Sequence, residues 1–138
     1  MSEARTSITL YRMPLVAAFL GLVGCTATDP LDGASPFATM GCGGYYLAQA
    51  ADPATSDADR QYYEALADGL ASATTNYSAA SRGEVVTEME RWRDEWQREL
   101  RSDWAQTAEG RAENANFLRE CAALTASLPT TRDIRRGA

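Results

Sequence analysis

The chain has no histidine and no lysine, so every one of its 13 basic side chains is an arginine. Histidine is the side chain whose charge ordinarily changes near neutral pH, and it is the commonest metal ligand. Lysine is the amine nucleophile and Schiff-base former. Losing both removes the usual general base, imidazole ligation and amine chemistry together. A Cys/His zinc set and a C-x-x-C-H haem attachment are excluded with them. Nucleotide cradles of the G-x-G-x-x-G or G-x-x-x-x-G-K-[ST] kind are also missing. No catalytic residue, metal ligand set or cofactor is therefore expected.

Long apolar runs are missing as well. A spanning helix needs about 20 apolar residues, and the stretch Pro14 to Val23 ends well short of that at Thr26, Thr28 and Asp29. No segment alternates polar and apolar residues at period two between turn residues, so β content near zero is expected. Basic charge is scarce: 19 acidic residues face 13 arginines, for a net charge of −6. An acidic surface without a basic stripe argues against nucleic acid, whose binding rests on phosphate neutralisation. It argues equally against a polybasic grip on anionic headgroups.

What is present begins with an address. Arg5 and Arg12 precede the apolar stretch Pro14 to Val23, the arrangement of a positive n-region and a short h-region in a signal peptide. The residues that follow, Leu22-Val23-Gly24-Cys25, resemble the lipobox of bacterial lipoproteins at all four positions. Glu3 and Pro14 depart from the usual pattern. The resemblance implies that Cys25 takes a diacylglycerol and becomes the first residue after removal of residues 1–24. Thr26, rather than Asp, after the cysteine implies sorting to the periplasmic face of the outer membrane. Two or three acyl chains anchor stably where one binds only marginally. The partners expected on this reading are the membrane, through lipid on Cys25, and an envelope protein.

Residues 25–34 (CTATDPLDGA) are small, polar and turn-rich, a flexible tether. A domain over 35–128 and a mobile tail over 129–138 complete the expected organisation. Ser35-Pro36 supplies an N-cap and a proline at the first helical position. The first helix, 36–51, would carry Phe37, Met40, Leu47 and Ala51 on one side. Gly41, Gly43 and Gly44 weaken it by roughly 1 kcal/mol each against alanine, and close approach of a neighbouring helix is the expected compensation. Asp52-Pro53 breaks the chain, and Ser56 with Asp59 resembles a capping box. The second helix, to Ala80, carries a stripe of Tyr63, Leu66, Leu70, Ala73 and Tyr77 at helical spacing. Ser81 with Glu84 repeats the cap. The third helix, to Ala105, carries Val85, Met89, Trp92, Trp96, Leu100 and Trp104, with Arg91–Glu95 and Asp94–Arg98 pairs on its wet side. Thr107 to Gly110 is the break before a fourth helix, whose stripe is Phe117, Cys121, Leu124 and Leu128. The fold class is all-α, a small antiparallel bundle of about four helices.

Cys42 and Cys121 remain after lipidation. In an oxidising compartment, with one on the first helix and one on the last, they are expected to form a single disulfide. A reactive thiol would need a nearby cation or imidazole, and Cys42 sits among glycines and tyrosines. Among other constellations, the tryptophan stripe reads as core before it reads as an exposed anchor. Adjacent tyrosines diverge by about 100° on a helix, so one of Tyr45/Tyr46 and one of Tyr62/Tyr63 should reach a bundle edge. These four tyrosines are the candidate binding surface. Glu84/Glu88, Glu95/Glu99 and Glu109/Glu113 form carboxylate pairs one turn apart, each on a solvent face, where a glycosidase cleft or carboxylate metal site would need convergent geometry. The expected function is that of a lipid-anchored, non-catalytic binding module of the periplasm. The alternatives are a periplasmic chaperone or stress protein, and a carboxylate-dependent cell-wall enzyme.

Overall fold

The computed structural model describes residues 35–137. The expected signal peptide, Cys25 and tether lie outside these residues. Among the described residues there are four α-helices and one 3₁₀ turn, with no strand. Helix α1 is Pro36–Ala50, α2 is Asp57–Tyr77, α3 is Arg82–Leu100 and α4 is Ala108–Ser127, with the 3₁₀ turn at Trp104–Gln106. The all-α bundle expected from apolar spacing is the fold that forms. None of its described helices is long and apolar enough to cross a membrane.

All four helices start in the same way. Ser35, Ser56, Ser81 and Thr107 each stand in extended backbone and accept a hydrogen bond from the amide three residues on, at Ala38, Asp59, Glu84 and Gly110. Each hydroxyl satisfies one of the amides that a helix start leaves orphaned, and is worth about 0.5–2 kcal/mol. At Ser81 the box is reciprocal, because the Glu84 carboxylate accepts from the Ser81 amide at 2.8 Å. The end of α1 is closed by side chains. Thr55 donates to the Gln49 carbonyl at 2.7 Å, and Arg60 Nε donates to that of Ala50 at 3.2 Å.

Helix α1 is the centre of the molecule. It runs antiparallel to α2, since Thr39 meets Thr74 near one end and Tyr46 stacks on Tyr63 near the other. The Thr39 and Thr74 hydroxyls are buried and 2.7 Å apart, and each also donates to or stands beside a carbonyl of its own helix. Against α3 the backbones themselves come close. A Cβ on Gly44 would lie 2.9 Å from the Met89 carbonyl oxygen and 2.9 Å from the Arg93 amide nitrogen. Gly43 faces the Met89 side chain in the same way. The expected compensation for two of the three glycines is therefore present, whereas Gly41 meets nothing within 4 Å.

The core differs from the expected stripe of α1. Gly41 to Tyr46 are all buried, Phe37 is half exposed and Ala51 is exposed. With neighbours on several sides, α1 has no single apolar stripe to show. Its buried residues join Leu66, Leu70, Ala73, Val85, Met89, Cys121 and Leu128 in one cluster. Tyr77, placed in the α2 stripe by spacing, is exposed because α2 runs out one turn beyond Thr74. Trp104 also leaves its expected helix. Helix α3 ends at Leu100, and the chain folds back through the 3₁₀ turn, whose Trp104 carbonyl packs against Gly110.

The Cys42–Cys121 disulfide is formed, with Cα atoms 5.5 Å apart and 79 residues of sequence separation. A loop of that size is worth roughly 4–4.5 kcal/mol in the chain-entropy treatment. It ties α4 to α1.

The tail is not the mobile extension expected from its composition. Leu128 and Thr131 are buried, and Ile134 packs on the core cluster. Amides of Thr131 and Arg132 donate to the Leu128 carbonyl, and the Thr131 hydroxyl donates to the Thr125 carbonyl at 2.6 Å. Gly69 of α2 makes room for this turn, for a Cβ there would lie 2.6 Å from the Thr130 carbonyl oxygen. Polar residues in a hydrogen-bonded turn seal the core here, which an apolar count overlooks.

Candidate functional site: an aromatic column capped by Arg136

The four tyrosines singled out from the sequence are brought together, but not as an open patch. Tyr45 and Tyr46 are both buried, and Tyr62 and Tyr63 are half-buried. The expectation that one of Tyr45/Tyr46 reaches an edge is corrected by the central position of α1: rotation by about 100° moves a side chain from one neighbouring helix to another, not to solvent.

Together with Trp96 and Phe117 they form one continuous column. Trp96 of α3 lies 4.5 Å from Phe117 of α4, centroid to centroid, and 5.3 Å edge-on from Tyr45 of α1. Tyr45 also meets Phe117 at 5.5 Å and its neighbour Tyr46 at 6.0 Å. Tyr46 stacks on Tyr63 of α2 at 5.9 Å with planes 16° apart, and Tyr63 lies 5.7 Å from Tyr62. Each well-placed ring pair adds about 0.5–1.5 kcal/mol beyond its burial. The column thus links all four helices. The indole N–H of Trp96 is buried within it and has no hydrogen-bond partner among the described residues.

Burial pushes the Tyr45 and Tyr46 phenols above their ordinary value of 10.0, and neighbouring tyrosines add to the rise. For Tyr46 the Thr125 hydroxyl pulls the other way. Both phenols are therefore neutral at physiological pH.

Its outer end is different. The guanidinium of Arg136 lies 5.2 Å from the Tyr62 ring and 5.7 Å from the Tyr63 ring. Arg136 also donates to the Tyr63 hydroxyl at 3.2 Å and pairs with the Asp59 carboxylate at 3.0 Å. Asp59, Tyr62 and Tyr63 share one face of α2 because they stand three and four residues apart. That spacing was legible in the sequence, yet Asp59 read first as a cap partner, a role it also fills through Ser56. Nothing local to Arg136 marks it, because its partners are over 70 residues away. Beside it, an open pocket of about 340 Å³ is lined by Ala58, Gln61, Tyr62, Ala65, Ile134, Arg135 and Gly137.

The three tryptophans are all half-buried rather than exposed anchors. Phe37 packs edge-on against Trp92 at 5.1 Å, and the Arg91 guanidinium lies over the Trp92 ring at 5.1 Å. Three of the paired carboxylates have structural work. Glu84 caps α3, while Glu88 and Glu95 both hold Arg91. Hydrogen bonds from Ser81 hold the Glu84 carboxyl below its ordinary range, and the Arg91 guanidinium does the same for Glu88. The expected Asp94–Arg98 pair does not form; Asp94 pairs with Arg93, and Arg98 donates to the Asp94 carbonyl. Among the described residues no group of three or more Cys, Asp or Glu is placed to hold a metal ion. Comparison with protein-family models, with curated proteins and with solved structures finds no match to this chain.

Proposed function

We propose that this is a lipid-anchored cell-envelope protein, held at the outer membrane through Cys25, that works in the periplasm as a non-catalytic binding module. The observation that carries the reading is the lipobox Leu22-Val23-Gly24-Cys25 at the end of a short h-region. The placement of apolar surface supports it. Of the four large hydrophobics most exposed, three are Phe37 at 49%, Tyr77 at 41% and Val86 at 37%. They lie at the start of α1, the end of α2 and the start of α3, which the Thr39–Thr74 contact and the short link 78–81 place at one end of the bundle. That is the end from which the chain leads back to Cys25. The described chain begins there at Ser35, ten residues after Cys25, so on this reading the apolar end is the one nearer the anchor.

A buried disulfide suits an oxidising compartment. The binding part of the reading rests on the aromatic and acidic outer face of α2. Glu84, Glu88 and Glu95 are taken up by a cap and by Arg91, which weighs against carboxylate catalysis on α3. Membrane fractionation with Cys25→Ser tests the anchor. Release of the variant into the soluble periplasmic fraction, with loss of metabolic acyl labelling, is the expected result. A variant that stays on membranes and still labels would overturn it.

A further inference from the structure

We propose that Asp59, Tyr62 and Tyr63 form a guanidinium-recognition site that Arg136 occupies in cis, and that an arginine presented by a protein partner takes in its place. The proposal rests on the binding-module reading and names the partner chemistry of its surface. Three kinds of contact converge on one group there: a carboxylate at 3.0 Å, a phenol oxygen at 3.2 Å and two ring faces between 5 and 6 Å away. That set suits a planar, delocalised cation better than a compact ammonium, because a guanidinium stacks and hydrogen-bonds in the same pose.

The site is built rather than adventitious. Tyr63 is held from behind by Tyr46, which is itself buried in the column. Asp59 is fixed in the first turn of α2 by the Ser56 hydroxyl at 3.0 Å. The occupant is held more loosely. Its side chain is 58% exposed in the Asp59 pair, and surface ion pairs and exposed cation–π contacts are each worth only about fivefold or less in an equilibrium. No backbone hydrogen bond binds Arg135 to Gly137 to α2 among the described contacts, and the last firm tie of the tail is at Thr131 and Ile134. An internal ligand on so short a segment competes at an effective concentration on the order of millimolar. A partner that adds contacts in the adjoining pocket beside Gln61 and Ala65 can exceed that.

The test is NMR of the full chain in detergent, following the Tyr62 and Tyr63 ring signals. The probes are N-acetyl-arginine amide and N-acetyl-lysine amide. The arginine probe should bind Arg136→Ala at least fivefold more tightly than the unaltered chain. The lysine probe should bind at least fivefold more weakly than the arginine probe, and Asp59→Asn added to Arg136→Ala should weaken arginine binding by up to about fivefold. Equal response to both probes, equal binding with and without Arg136, or no ring shift in Arg136→Ala would each overturn the proposal. None of those failures would bear on membrane anchoring, which Cys25→Ser reads separately.

Discussion

Helices α1 and α4 are joined by one disulfide, yet they are held in opposite ways. Nine of the 15 residues of α1 are buried, against three of the 20 in α4. Helix α1 is rich in glycine and tyrosine and would be a poor helix alone. It persists because neighbours enclose it, and its glycines let the α3 backbone come close. Helix α4 is rich in Ala, Glu, Arg and Leu, residues that favour helix without help. Its attachments are Gly110 against the 3₁₀ turn, Phe117 in the aromatic column, the disulfide, Leu124, Thr125 beside Tyr46, and the turn at Leu128. Tertiary contact makes α1 a helix, whereas local propensity makes α4 one and the disulfide keeps it in place.

The sharpest way to break that contrast is to remove the staple. Cys42→Ser with Cys121→Ser should lower stability by roughly 4 kcal/mol, measured by urea denaturation. Amide exchange should quicken in α4 well before it does in α1. Uniform quickening would mean that α4 is no more loosely held than the rest.

Next in size is Gly44→Ala, which sets a methyl against the backbone of α3 at Met89 and Arg93. Overpacking of this kind costs about 1–3 kcal/mol. Gly41→Ala is its control, because open space surrounds that position. It should be neutral or stabilise by up to about 1 kcal/mol through helix propensity. The same sign for both variants would contradict close packing of α1 on α3.

Smaller again is the cap of α3. Ser81→Ala removes the hydroxyl half of its box, leaves the backbone amide to Glu84, and should cost about 1 kcal/mol. Thermal melting monitored by circular dichroism reads it.

The pH limbs are the smallest effect and point in opposite directions. Tyr45 and Tyr46 hold their protons more tightly in the folded chain than in the unfolded one. Their contribution is therefore complete below the unfolded value of 10.0 and is lost as pH rises through the higher folded values. Glu84 and Glu88 are shifted down, so their contribution is present above the ordinary 4.5 and fades as pH falls through their lower folded values. Denaturation midpoints against pH should fall at both ends, and Tyr46→Phe should flatten only the alkaline limb.

How much of this was legible follows from the same contrast. The stripes Leu66–Leu70–Ala73 and Val85–Met89 could be read from spacing, because each amphipathic helix has one buried face; the caps at Ser35, Ser56 and Ser81 were legible too, whereas Thr107 read only as part of a break. The disulfide could be read from compartment and helix order. Helix α1 hid its core because a helix enclosed on several sides has no period to find. The docked tail hid because Thr131 seals it by a hydrogen bond to Thr125, and Gly69 gave no sign of what it faces. Of the candidate site, the tyrosines were legible as residues. Their burial and the arrival of Arg136 from the far end of the chain were set by tertiary packing.

The most direct test of the functional reading is cross-linking of the anchored protein in intact envelopes, followed by capture and mass spectrometry. One reproducible partner near stoichiometric yield, lost with Cys25→Ser, is the expected result. Recovery of only lipid and bulk porin, unchanged by that substitution, would contradict an anchored binding module.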